Sequence, residues 1–218
     1  MTAASDAHPG AMPTALTLDD IVDLRAYERG RDEFRRQVVA RKRVRRVALG
    51  PVMTLVFESV DTVRFQVQEM ARAERIATDA GIQAELDVYN RLLPRPGELS
   101  ATVFIELTSE AELRQWLPAL VGIERSLGLE VPSGSGTTVV RGEPEAEHQD
   151  ALTREEVTAA VHYVRFAFAP DQVAAFAVGP VALVADHPAY QERTALSEET
   201  RQALLADLEG RTQPLQLG

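Results

Sequence analysis

Gly50-Pro51 and Pro94-Arg95-Pro96-Gly97 bracket a segment in which the hydrophobic period changes twice. Val52 to Glu58 alternates, with Met53, Leu55 and Phe57 on one face and Thr54, Val56 and Glu58 on the other, which predicts a strand. Asp61 or Thr62 then caps a helix whose stripe is Val63, Val67, Met70, Glu74 and Ala77. Asp79-Ala80-Gly81 interrupts it, and Ile82, Leu86, Tyr89 and Leu93 resume the helical spacing until the prolines stop it. Leu99 to Leu107 alternates again, with Val103, Ile105 and Leu107 opposite Thr102, Phe104 and Glu106. A chain that leaves a strand for helices and returns to a strand must pack those helices against a sheet.

The flanking segments extend this pattern. Thr17-Leu18-Asp19-Asp20 reads as a helix start, followed by Leu24, Tyr27, Phe34 and Val38 at helical spacing, with Gly30 as a point of bending or division. Arg35-Arg36 and Arg41 to Arg46 form a basic cluster, either a solvated helix end or a local anion-binding or docking patch. Ser109 caps a helix containing Leu113, Trp116, Leu117, Leu120 and a bending Pro118. Leu129 to Pro132 and Thr137 to Arg141 predict a hairpin around Ser133-Gly134-Ser135-Gly136. Gly142 to Glu156 reads as an exposed acidic loop, and Val157 to Ala169 as a strand with His162, Val164, Phe166 and Phe168 on one face. A short helix from Pro170, a strand over Val181 to Asp186 ended by His187-Pro188-Ala189-Tyr190, and a helix from Ser197 complete the chain. The expected fold is α+β, a mainly antiparallel sheet with packed helices. Residues 1–16 read as a disordered lead, 17–209 as a single domain and 210–218 as a loose tail.

Composition narrows the function. The net charge of −10 argues against general nucleic-acid binding, which depends on positive surface. No apolar run approaches the roughly 20 residues that span a bilayer. Met1 to Ala15 lacks the succession of a secretory signal, so a cytoplasmic location is expected. With no Cys, the chain holds no thiolate nucleophile or iron–sulfur ligand set, and its four His argue against a His-rich metal cage. Walker, Rossmann, His-Glu-x-x-His and nucleophile-elbow motifs are all missing.

What remains is a polar constellation centred on residues 57–106: Glu58, Gln66, Glu69, Glu74, Glu85, Asn90 and Glu106, with Tyr27, Arg31 and Arg35 as partners from the first helix. Facing carboxylates can bind a hard cation or supply an acid and a base. The Glu-x-x-His spacing of carboxylate di-iron bundles is absent, since Arg72 follows Glu69 and Ala77 follows Glu74. The plainer alternative is a buried ion-pair network, with Arg31 and Glu74 as its two halves. His162, His187 and Tyr190 are secondary candidates, the last two held together by the His-Pro-x-Tyr turn.

Tyr27-Glu28-Arg29-Gly30-Arg31, Arg45-Arg46-Val47-Ala48-Leu49-Gly50-Pro51, Phe57-Glu58 with Asp61-Thr62, Gln66-Val67-Gln68-Glu69-Met70, Glu85 to Asn90, Val161 to Phe166 and Asp186 to Tyr190 together resemble the bacterial domain-of-unknown-function family 3501. The resemblance runs from Leu18 to Leu208 and brings no reaction, catalytic residue or cofactor with it. It implies a genomic setting beside a rubrerythrin-like protein and an iron–sulfur protein similar to a heterodisulfide reductase subunit. Two readings follow. One is a cytoplasmic accessory of a redox or peroxide-defence system, docking through a patch near Arg41–Arg46. The other is an enzyme or a small-molecule- or metal-binding protein that uses a carboxylate-rich pocket within residues 57–106.

Overall fold

The computed structural model describes residues 13–145 and 157–216. Eight strands form one sheet: β1 (Arg46–Leu49), β2 (Met53–Phe57), β3 (Glu98–Ile105), β4 (Leu127–Ser133), β5 (Gly136–Pro144), β6 (Val161–Ala167), β7 (Ala182–His187) and β8 (Tyr190–Ala195). Their order is β1-β2-β3-β6-β5-β4-β7-β8, and every pairing is antiparallel. The helices are α1 (Leu24–Arg45), α2 (Val60–Glu74), α3 (Asp79–Tyr89), α4 (Glu110–Ala119), α5 (Pro170–Val178) and α6 (Glu198–Leu208). This is the α+β, antiparallel architecture expected from the pattern.

The sheet curls until its two edges almost meet, as a nearly closed barrel. Closure hides strand edges that would otherwise recruit other chains. The seam is made by Tyr190 at the start of β8, whose hydroxyl donates to the Leu49 carbonyl at 2.5 Å. Alternation then sorts the side chains. Leu55, Phe57, Leu99, Ala101, Val103, Val164 and Phe166 point inward into the main core, together with Leu127, Leu129 and Leu183. Phe176 of α5 and Leu204, Leu205 and Leu208 of α6 join the same core. The other face of β2, β3 and β6 carries Thr54, Val56, Thr102, Phe104, Val161 and Tyr163, and it is here that α2, α3 and the turn after α3 pack through Val60, Val63, Val67, Leu86 and Leu92.

Several boundaries differ from expectation for local reasons. Thr17 opens only a single helical turn, Leu18–Asp20, and α1 begins at Leu24 with the Asp23 carboxylate accepting from the Ala26 N–H. Gly30 does not divide α1, which buries Tyr27, Phe34 and Val38 on both sides of it. Arg46 leaves the helix for β1 because Val47 and Leu49 face the core, so the basic cluster spans a helix end and a strand. Ser59 caps α2, and the break before α3 falls at Arg75, with φ of 56°, and not at Gly81. His187 to Tyr190 ends β7 as expected, and does so as the turn of a hairpin into β8, a strand the pattern did not show.

Residues 211–216 are not a loose tail. Thr212 donates to Asp207 at 2.6 Å, Gln213 accepts from Arg41 at 3.1 Å, and the Leu215 N–H donates to Asp61 at 2.8 Å. At the other end Leu16, assigned to the lead, is buried and bonded on both its N–H and C=O by the Asn90 amide. The rest of the lead up to residue 12 and most of the acidic loop, residues 146–156, lie outside the described residues.

Candidate functional site

The residue that organises the site is Glu58. Strand parity puts it in line with Thr54 and Val56, on the helix-covered side of β2, just where the chain leaves the strand for the Ser59 cap. It is 8% exposed. Its two carboxylate oxygens accept from two hydroxyls: Thr102 of β3 at 2.6 Å, and Thr62 in the first turn of α2. Thr62 is itself oriented by the capping box, where its hydroxyl accepts from the Ser59 N–H at 2.8 Å. No cation pairs with the Glu58 carboxylate among the described residues. The positive end of α2 and the two hydroxyls supply what stabilisation its charge receives.

Glu58 opens into a cleft of about 270 Å³. Its floor is the outer face of the sheet: Thr102 and Phe104 of β3 stand opposite Tyr163 and Val161 of β6. Thr62, Val63 and Gln66 of α2 form one wall, Tyr89 and Leu92 at the end of α3 another, and Lys42 of α1 stands at the side. Burial holds the Tyr163 hydroxyl above the usual phenol range, and the neighbouring Tyr89 and Glu58 push it the same way. A wider groove of about 640 Å³ lies between α1, α6 and residues 211–215, but its Arg41 is bonded to Asp61, and its Arg45 and Thr212 to Asp207.

Of the predicted constellation, only Glu58 and Gln66 reach this cleft. Glu69 forms a separate pin between α1 and α2: Arg31 grips it with two bonds of 2.7 Å, and the Tyr27 hydroxyl donates to it at 2.7 Å. Arg31 therefore pairs with Glu69, one turn before the expected Glu74, which is exposed. Arg35 is exposed and far from being a partner of these acids; its place on α1 faces away from the Tyr27–Phe34 stripe. Glu85 is half-buried on α3, its carboxyl raised by burial and then by Glu74. Asn90 is spent on Leu16. Glu106 shares the outer face of β3 but is separated from the cleft by Phe104, and it accepts from Thr54 at 2.7 Å and Arg46 at 3.0 Å. His162 is buried with Nε2 beside Thr158 and the Ala159 carbonyl, His187 contacts the Val121 carbonyl, and Tyr190 closes the barrel seam. The single convergence of acids on Arg31 and Tyr27 does not form: both partners are taken by Glu69, and Glu58 bonds Thr62 and Thr102 instead.

Reading by periodicity missed Lys42, Thr62, Tyr89, Thr102, Phe104 and Tyr163 as neighbours of one cavity. The signal for Thr102 and Tyr163 was present in the alternation of two strands, but their pairing is a long-range register.

The Glu69 pin carries a pH dependence. Arg31, opposed by burial and aided by Tyr27, holds the Glu69 carboxyl below its usual value. A depressed folded pKa contributes stability that is present above the unfolded value of about 4.3 and is lost as pH falls through the lower folded value. Thermal melts of wild type and Glu69→Gln are expected to differ most at neutral pH and to converge in acid. Curves that stay parallel down to the acid limit would show that the pair adds nothing.

Residues 15–208 match the model of a family described as "Protein of unknown function (DUF3501)". No curated protein matches the chain. Among solved structures, a crystal structure of a novel protein of unknown function from Burkholderia pseudomallei K96243 is similar, at 34% identity and a TM-score of 0.80, covering 89% of this chain and 99% of that one.

Proposed function

The chain belongs to the DUF3501 family of proteins of unknown function, and we propose that it is a small-molecule-binding protein whose ligand seats in the cleft over Glu58. One observation carries this reading: a carboxylate that is 8% exposed, held by two hydroxyls, unpaired with any cation among the described residues, and facing open space. A carboxylate buried only for packing is ordinarily matched by a cation, because desolvation without a partner is costly. The other buried acids each have a cation beside them: Asp61 has Arg41 and Arg64, Asp207 has Arg45, and Glu124 has Arg125, more loosely, at 3.9 Å. No three His, Asp or Glu side chains gather as a metal cluster among the described residues, so the cleft suits an organic ligand.

The test is a fragment panel followed by protein-observed NMR on wild type and on Gln66→Trp, which fills the cleft from the α2 wall. Fragments are expected to shift resonances around Thr102, Tyr89 and Tyr163 in wild type and to lose that binding in the variant. Fragments that ignore the cleft, or bind the variant equally well, would end this reading.

The redox-accessory reading is a second proposal. It rests on the setting that the family resemblance implies and on a Cys-free chain that needs partners to hold a cluster. The basic docking patch it called for is not free at Arg41, Arg45 or Arg46, which pair with Asp61, Asp207 and Glu106. Of the patch, Lys42 and Arg43 are left for docking an iron–sulfur or rubrerythrin-like protein. Anaerobic co-purification that recovers neither partner removes this proposal.

A further inference from the structure

An ionised carboxylate offers about four acceptor positions on its two oxygens. Glu58 uses two of them, one on each oxygen, for Thr102 and Thr62. Both donors are neutral, so the charge itself remains to be matched. The groups around it are of three kinds. Tyr89, Tyr163 and Phe104 bring aromatic rings, whose π-electrons favour a cation. Val63, Leu92 and Val161 bring apolar surface suited to a short methylene chain. Lys42 is the one cationic side chain in the lining. It makes no ion pair among the described residues, and its ammonium lies 5.9 Å from the centre of the Phe65 ring.

Resting on the binding site proposed above, we infer that its ligand class is a small ammonium zwitterion, with a protonated amine on Glu58 and an anionic group toward Lys42. A protonated amine supplies both the charge that the carboxylate lacks and the N–H donors for its two open acceptor positions. A quaternary ammonium would supply the charge alone. The cleft of about 270 Å³ lies at the small end of ligand sites, which suits a ligand of few heavy atoms. Lys42 separates a zwitterion from a simple amine, since a lone cation gains nothing from an ammonium at the rim.

The probes are γ-aminobutyrate, n-butylamine, butyrate and n-butanol, titrated calorimetrically into the full chain at neutral pH. They share a four-carbon frame and differ only in charge. γ-Aminobutyrate is expected to bind most tightly, n-butylamine more weakly, and butyrate and n-butanol not at all. Glu58→Gln is expected to weaken both amines by roughly tenfold or more. Lys42→Met, a change at the half-buried side of the cleft, is expected to reduce γ-aminobutyrate to the level of n-butylamine without weakening n-butylamine. Butyrate binding as well as the zwitterion, or amine binding that survives in a folded Glu58→Gln, overturns the inference. The charge series on wild type decides the matter even if Glu58→Gln does not fold. If the amines fail while fragments of other chemistry fill the cleft, the ligand class is wrong and the binding reading stands. If nothing enters the cleft, both fall.

Discussion

Asp207→Asn is expected to destabilise the protein by about 3–5 kcal/mol, the usual cost of stranding one member of a buried ion pair. Asp207 is fully buried and Arg45 is 2% exposed. The two meet through bonds of 2.5 and 2.9 Å. Arg45 also donates to the Glu58 carbonyl at 3.2 Å, and Thr212 donates to Asp207. The pair thus ties the end of α1 and the start of α2 to α6 and the C-terminal segment. An amide at 207 leaves the guanidinium charge without a counterion in a place that water does not reach. Against a total stability of about 5–15 kcal/mol for a typical domain, that loss is large. The double replacement Arg45→Met with Asp207→Leu is expected to recover most of it, because removing both charges also removes both desolvation penalties. Urea denaturation of the three variants measures this. A single-variant loss under about 1 kcal/mol would mean that the pair behaves as a solvated surface contact.

The second large effect is expected at the barrel seam. Gly50 turns β1 into β2 with φ of 65°, a conformation that costs an L-residue about 1–2 kcal/mol. A Cβ there would also lie 2.5 Å from the Tyr190 hydroxyl and 2.6 Å from Glu192. Glu192 is flexible and can move. Tyr190 cannot move cheaply, since its hydroxyl bonds Leu49 and its ring meets Trp116 edge-on at 5.8 Å. Displacing it adds the loss of a hydrogen bond, about 0.5–1.5 kcal/mol. Gly50→Ala is therefore expected to cost roughly 2–3 kcal/mol in total. In a Tyr190→Phe background the same change should cost less, because the clashing oxygen and its bond are already gone. A double-mutant cycle reads this coupling. Equal costs in both backgrounds would place the strain in the backbone alone.

Both effects depend on contacts between residues far apart in the chain, and this separates what was legible from what was not. Most elements were readable, because a strand's period of two and a helix's 3.6 are written into neighbouring residues. Thus the inward row of His162, Val164, Phe166 and Phe168, the Ser109 and Ser197 caps, and the hairpin after Pro132 all appear in the structure. β1 and β8 were not read as strands. Four residues of β1 follow directly on a charged helix, and β8 alternates polar residues that would suit a loop equally well.

The candidate site divides in the same way. Glu58 and Gln66 stood out locally, as polar residues beside core positions. Glu74 also stood out, but it is the last residue of α2 and is exposed, beyond the part of its stripe that Val63 and Val67 bury. Arg45 looked like one more cation in a basic run, and only Asp207, 162 residues away, makes it a buried ion.

The amino-acid sequence alone determined the α+β class and the antiparallel sheet, and it offered Glu58 only as one of several acids beside core positions. The tertiary structure decided which acids receive a cation. That decision rests on register and on helix placement, which bring Arg31 to Glu69, Arg41 to Asp61 and Arg45 to Asp207. Glu58 receives only Thr62 and Thr102, because β3 presents a hydroxyl where it crosses the end of β2. Charge pairing is a property of proximity in space, and chain spacing encodes proximity only within a helix turn or along one strand.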